Sequence, residues 1–185
     1  MSRITQIDPT EATGRSKALL DAVKEKLGFT PNMMRAMANA PVVLDAYLQF
    51  SSVLGKGSLP VRVREQIALT VAQVNGCDYC LAAHSAIGKS VGLTAEQIND
   101  SRLGTAIDPK AAALLGFARK VALTRGQVSD ADLEDVREVG YDDAIIAEVV
   151  AHVALSSFTN FFNNVVRTDV DFPKAAPLTP EPAGV

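Results

Sequence analysis

Apolar residues recur along the chain at steps of three and four, the spacing of one helix face, and no stretch holds the two-residue alternation of a half-buried strand. Leu19, Leu20, Val23 and Leu27 carry that spacing from about Arg15 until Gly28 stops it. Asp8-Pro9-Thr10-Glu11 has the form of a cap, a first-turn proline and a glutamate three residues after the cap, with Gly14 delaying the main helix. Proline fits a first turn and breaks an interior, so Pro31 and Pro41 predict helices over 31–39 and 41–54. A loop at 55–60 leads to helical periodicity over 63–74. Asn75-Gly76 then ends that helix and lets the chain reverse into another over 77–91. Further on, the capping box Thr94-Ala-Glu-Gln97 opens a short helix to about Asn99, and Asp108-Pro109 opens one to about Thr124. Ser129 caps a helix that Gly140 ends, and 142–166 forms the last and longest. That final helix is apolar on nearly every side, which predicts a central position or a subunit interface. The pattern is that of an all-α protein, with 1–171 as one domain. The tail 172–185, with four prolines in fourteen residues, is expected to be extended or disordered.

Composition narrows the function classes. A chain of 185 residues can bury a core without disulfide staples. A net charge of −3, with Lys and Arg scattered among Asp and Glu, provides no basic stripe for phosphates and argues against nucleic acid as a partner. Apolar runs are interrupted short of the roughly 20 residues of a membrane span, and the N-terminus lacks a signal-peptide core. The expectation is a cytoplasmic protein with no membrane partner. In that reducing compartment, Cys77 and Cys80 at CxxC spacing point to redox or metal chemistry rather than a permanent bridge.

The two cysteines sit on a predicted antiparallel hairpin. At about 1.5 Å rise per residue, Glu65 lies roughly 16 Å before Gly76 and His84 roughly 12 Å after it, so the two are placed to meet. If 77–91 is helical, steps of three and four put Cys77, Cys80 and His84 on one stripe. The free N–H groups of a helix N-terminus favour thiolate at Cys77. Cys80 gains less from them but has His84 one turn on as a base or a hydrogen-bond partner, and Glu65 opposite is placed to orient the ring and hold its proton. Such a relay makes a nucleophile, and Cys77 is near enough to close a disulfide afterwards. That sequence fits peroxide reduction, in which thiolate attack gives a sulfenic acid and the second thiol expels water, with no cofactor.

Plainer readings stay open. Two cysteines in a helix can be small buried hydrophobes, and Cys77, Cys80, His84 and Glu65 would make four zinc ligands, although structural zinc sites usually draw paired motifs from loops. His152, in an apolar stretch, is by default a core or interface histidine and otherwise an accessory to the site. Phe158, Phe161 and Phe162 share a helix face that by default packs in a core or against another subunit, and otherwise walls an alkyl-hydroperoxide pocket. Asn160, Asn163 and Asn164 need partners and are expected to cap or bridge backbone at an interface.

The pattern Glu-x11-Cys-x2-Cys-x3-His, at Glu65, Cys77, Cys80 and His84, resembles the active-site motif of the AhpD-like alkylhydroperoxidases of the carboxymuconolactone decarboxylase superfamily. The resemblance runs from about Pro31 to Phe172, through Gly-Leu-Thr-Ala-Glu-Gln-Ile at 92–98, Val-Ser-Asp-Ala-Asp-Leu at 128–133 and the asparagine-bearing last helix. It implies an AhpD-like helical array assembled as a trimer or hexamer. It also implies a thiol-dependent peroxidase for alkyl or organic hydroperoxides, serving antioxidant defence. Cys80 would attack, Cys77 would resolve through a redox-active disulfide, and Glu65 with His84 would relay protons. A thiol reductant such as a lipoylated carrier would restore the dithiol. The best-studied members carry a histidine where this chain has Tyr79. A phenol is a poor base near pH 7, so Tyr79 enters as an accessory residue, and dithiol–disulfide exchange with little peroxidase activity becomes the alternative. The lactone decarboxylase branch lacks the cysteine pair, so both cysteines favour the redox branch.

Overall fold

The computed structural model describes residues 1–178, and the end of the proline-rich tail, 179–185, lies outside the described residues. Among the described residues are nine helices and no strand. They are α1 (Gly14–Leu27), α2 (Asn32–Met37), α3 (Pro41–Leu54), α4 (Val61–Val74), α5 (Asp78–Ser90), α6 (Ala95–Leu103), α7 (Pro109–Thr124), α8 (Asp130–Glu138) and α9 (Asp143–Val166). The capping signals lie where the sequence puts them: Thr94 and Ser129 form complete capping boxes, and Asp108 and Asp142 accept from the third backbone N–H of α7 and α9. Asp8 differs. Its carboxylate accepts from the backbone N–H of Thr10 at 2.8 Å and its hydroxyl at 2.7 Å, a local turn that uses up the cap without starting a helix. Helix α6 also runs a turn past Asn99, to Leu103, until Gly104 ends it in a left-handed conformation.

Helix α4 is the centre of the molecule, packed against α5, α6, α7 and α9. Its residues 66–72 are all buried, because it serves two cores at once. Leu69 and Ala72 join Leu20, Met37, Leu44 and both cysteines on one side, whereas Ile67 and Val71 meet Leu114, Leu115, Val136 and Val149 on the other. A helix held on both sides is a rigid base for a site.

Helix α9 corrects the estimate of apolar length: with 24 residues it is long and apolar enough, by length and composition, to cross a bilayer. Instead it packs against α3, α4, α5 and α7. Five of its polar residues are buried, His152, Ser156, Thr159, Asn160 and Asn163, while Val150, Phe158, Phe161 and Val165 are exposed. The start of the tail is fastened down: Phe172 packs edge-on against Phe29 and Tyr79, and Arg102 donates to the carbonyl of Ala176 at 2.6 Å.

Candidate functional site

The site is built on the α4–α5 hairpin. Gly76, at φ +58°, supplies the left-handed turn after α4, and the N–H of Cys77 closes onto the carbonyl of Ala72 at 3.0 Å. Cys77 then stands just outside the helix as the N-cap of α5, its Sγ accepting from the backbone N–H of Cys80 at 3.2 Å. Cys80 and His84 follow one turn apart within α5. From the facing helix, Glu65 reaches His84, with Oε2 2.7 Å from Nδ1. The hairpin thus brings Glu65, His84, Cys80 and Cys77 together. Both cysteines are buried and free.

The two thiols are electrically unequal. The hydrogen bond from the Cys77 thiol is the largest influence on Cys80 and lowers its pKa to about 6. Burial opposes it, while the His84 charge and the amides of Asn163 and Asn160 add to the lowering. The same thiol–thiol bond, with burial and the nearby charges of Cys80 and Asp78, pushes Cys77 well above the ordinary cysteine range. The helix end therefore does not make Cys77 the thiolate, as its position in the sequence led one to expect. The group that profits sits one turn in, where donors converge. Burial alone would pull His84 down, but the charge and hydrogen bond of Glu65, with the Cys80 sulfur, hold its pKa above the usual histidine value.

A cavity of about 490 Å³ opens onto this pair. Its apolar wall includes Leu27, Phe29, Met34, Leu48, Ile87 and Phe172, and Cys80 and His84 reach it from α5. The aromatic lining comes from Phe29, Tyr47, Tyr79 and Phe172, not from Phe158, Phe161 and Phe162. Those three, on α9, are not among its lining residues, and Phe162 packs instead against the core that holds both cysteines. Tyr79 is part of the wall: its hydroxyl accepts the backbone N–H of Met33 at 3.2 Å, and burial raises its pKa far above the ordinary phenol range. A second, more polar cavity of about 230 Å³ lies behind the relay, lined by Glu65, His84, Arg64, His152 and Ser156. His152 is buried there with Nε2 unpartnered among the described residues, and burial followed by the Arg64 charge lowers its pKa. Among the described residues, no group of three or more His, Cys, Asp or Glu side chains is arranged to hold a metal ion.

One residue, Tyr47, and one contact, that of Asn163 with Cys80, escape a reading of the sequence. Tyr47 of α3 lines both cavities, and burial pushes its phenol up to about 12. Asn163 donates to the Cys80 sulfur at 3.3 Å. Of its neighbours, Asn164 does bridge to backbone, at the carbonyl of Asn75 (2.9 Å), whereas Asn160 takes the side-chain amide of Asn75 at 2.9 Å. The partners of Asn163 and Asn160 lie more than eighty residues away, so no local pattern marks them.

Comparison with known proteins fits this geometry. The Carboxymuconolactone decarboxylase family model matches residues 41–123, which span α3 to α7 and so include the whole hairpin. No curated protein matches the chain. Among solved structures, the alkylhydroperoxidase AhpD core of an uncharacterized peroxidase-related protein from Ralstonia eutropha JMP134 is 28% identical, with 92% of each chain covered and a TM-score of 0.80. An uncharacterized peroxidase-related protein from Silicibacter sp. TM1040 is 25% identical over 90% of this chain and 92% of its own, with a TM-score of 0.73. The debrominase Bmp8 shares the fold at 18% identity, over 91% of this chain and 92% of its own, with a TM-score of 0.77. Over residues 41–123 the chain matches the Carboxymuconolactone decarboxylase family, and its all-helical array with the CxxC pair has the fold of the AhpD-like peroxidase-related proteins.

Proposed function

We propose that the protein is a thiol-dependent peroxidase that reduces organic hydroperoxides. The observation that carries this reading is that Cys80, with its pKa lowered, and His84, backed by Glu65, line the same apolar cavity. An alkyl or aryl hydroperoxide has an apolar body suited to such a wall and a polar O–O end for the sulfur. The Cys80 thiolate attacks the terminal oxygen, the O–O bond breaks, and the product is a sulfenic acid and an alkoxide that takes a proton from His84. The Cys77 thiol then attacks the sulfenic sulfur, forming the disulfide and releasing water. Two thiols are oxidised and one peroxide is reduced. A dithiol of lipoyl type restores the pair by exchange in a reducing cytoplasm. The debrominase Bmp8 carries another chemistry on the same fold, and peroxide consumption is the measurement that separates the two.

In stopped flow, the reduced protein is expected to consume cumene hydroperoxide far faster than a free thiol does. Cys80→Ser abolishes the reaction, and Cys77→Ser leaves a single burst with the sulfenic acid on Cys80. A wild-type rate no faster than that of a free thiol sinks the peroxidase and leaves dithiol–disulfide exchange. A sulfenate formed on Cys77 in Cys80→Ser at the wild-type rate would reverse the two roles.

A further inference from the structure

On the buried face of α9, Asn163 places Nδ2 3.3 Å from Cys80 Sγ and 3.1 Å from Met33 Sδ. A thioether only accepts hydrogen bonds, so the end of the amide facing Met33 is the NH₂ end, and that fixes which way Asn163 points toward Cys80. Asn163 is 3% exposed and its Oδ1 is unpartnered, while Asn160, one turn earlier, is 0% exposed with Nδ2 unpartnered. Asn160 has its Oδ1 occupied by Asn75, whose carbonyl is in turn held by Asn164. Three asparagines, Asn75, Asn160 and Asn164, therefore tie α9 to the turn of the hairpin, while Asn163 donates to the Cys80 sulfur with the Asn160 amide beside it. A buried amide donor left unpaired costs stability in an inert core, but the free Nδ2 of Asn160 is explicable where an anion forms.

We infer that Asn163, with Asn160 as the second donor, forms an amide cradle that holds the Cys80 sulfur as its anion. The inference rests on the reading of Cys80 as the reactive thiol. Around Cys80 the titratable groups are Cys77 and Tyr79 beside it, His84 one turn on, Glu65 from α4 and Tyr47 from α3. Among these, only Cys77 and His84 lower it, so the neutral amides of α9 supply stabilisation that the motif residues do not.

The test needs no peroxide. In reduced Cys77→Ser protein, Cys80 is the only thiol, and ultraviolet thiolate absorbance against pH gives its midpoint. Asn163→Leu, which keeps the shape and removes the donor, is expected to raise that midpoint by about one pKa unit. An unchanged midpoint in folded protein overturns the cradle. A second measurement avoids that variant: the Asn163 side-chain amide protons, followed by nuclear magnetic resonance, should move downfield with the same midpoint as the thiolate and lose that response in Cys80→Ser. The amides of Asn75 and Asn164, which bond to oxygen, are the internal control; an Asn163 displacement no larger than theirs also overturns the inference. If the titrations behave as expected but cumene hydroperoxide is not consumed, the peroxidase reading fails and the cradle stands.

Discussion

Cys77 and Cys80 are the same chemical group three residues apart, and their surroundings divide the work between them. Because the thiolate is the nucleophile, a lowered pKa means that reactivity appears as pH rises. Alkylation of the reduced protein by iodoacetamide should therefore increase through about pH 6 and map to Cys80, whereas Cys77, held above the ordinary range, stays silent there. Equal labelling of both cysteines would contradict the asymmetry. Glu65→Gln and His84→Ala should each slow peroxide attack by roughly two orders of magnitude, the scale of general-base assistance. The double variant should be little worse than either, since the 2.7 Å contact makes them one unit, and multiplicative losses in stopped flow would separate them. At this scale the motif residues were legible because helix geometry converts their spacing directly into proximity. Asn163 was not, because its contact with Cys80 spans 83 positions and a single asparagine has no periodicity to betray it.

Helix boundaries were legible wherever a side chain or a proline enforces them locally, as at Pro41, Thr94, Asp108 and Ser129. At Asp8 the cap residue found a nearer partner in Thr10 and the helix starts at Gly14, close to the delayed start expected there; the boundary failed at the end of α6, where tertiary packing buries Ser101 and Arg102 and carries the helix on. The same logic gives a test of the hairpin. Gly76 has a positive φ and nothing within 4 Å of an added Cβ, so Gly76→Ala meets no clash and suffers only the backbone penalty. That penalty is about 1–2 kcal/mol, to be read from the urea midpoint. A loss far beyond it would mean that the turn does more than reverse the chain. Helix α9 misled for a related reason: hydropathy counts residues but does not say which way they face. Asn160, Asn163 and His152 point inward, while much of its apolar surface points out.

That inversion bears on the whole molecule. A helix at the heart of a fold ordinarily turns its apolar side inward, yet Phe161 is 57% exposed and Val165 68%, with Phe158 and Val150 on the same helix also open. Exposed apolar side chains clustered on one element mark a surface that a partner covers, and a second copy of the chain presents a matching apolar face. We therefore expect a homo-oligomer, a trimer or hexamer as the family resemblance implies, with the outer face of α9 in its interface. Phe161 is absent from the lining of the cavity that holds Cys80, so Phe161→Asp changes the outer surface without removing a residue of the site. Light scattering should show the wild-type chain at a multiple of the mass of its 185 residues, and Phe161→Asp should lower that multiple, because a carboxylate buried in an apolar contact has no partner there. A wild-type protein that scatters as a monomer at micromolar concentration would refute the assembly while leaving the hairpin chemistry to be judged on its own tests.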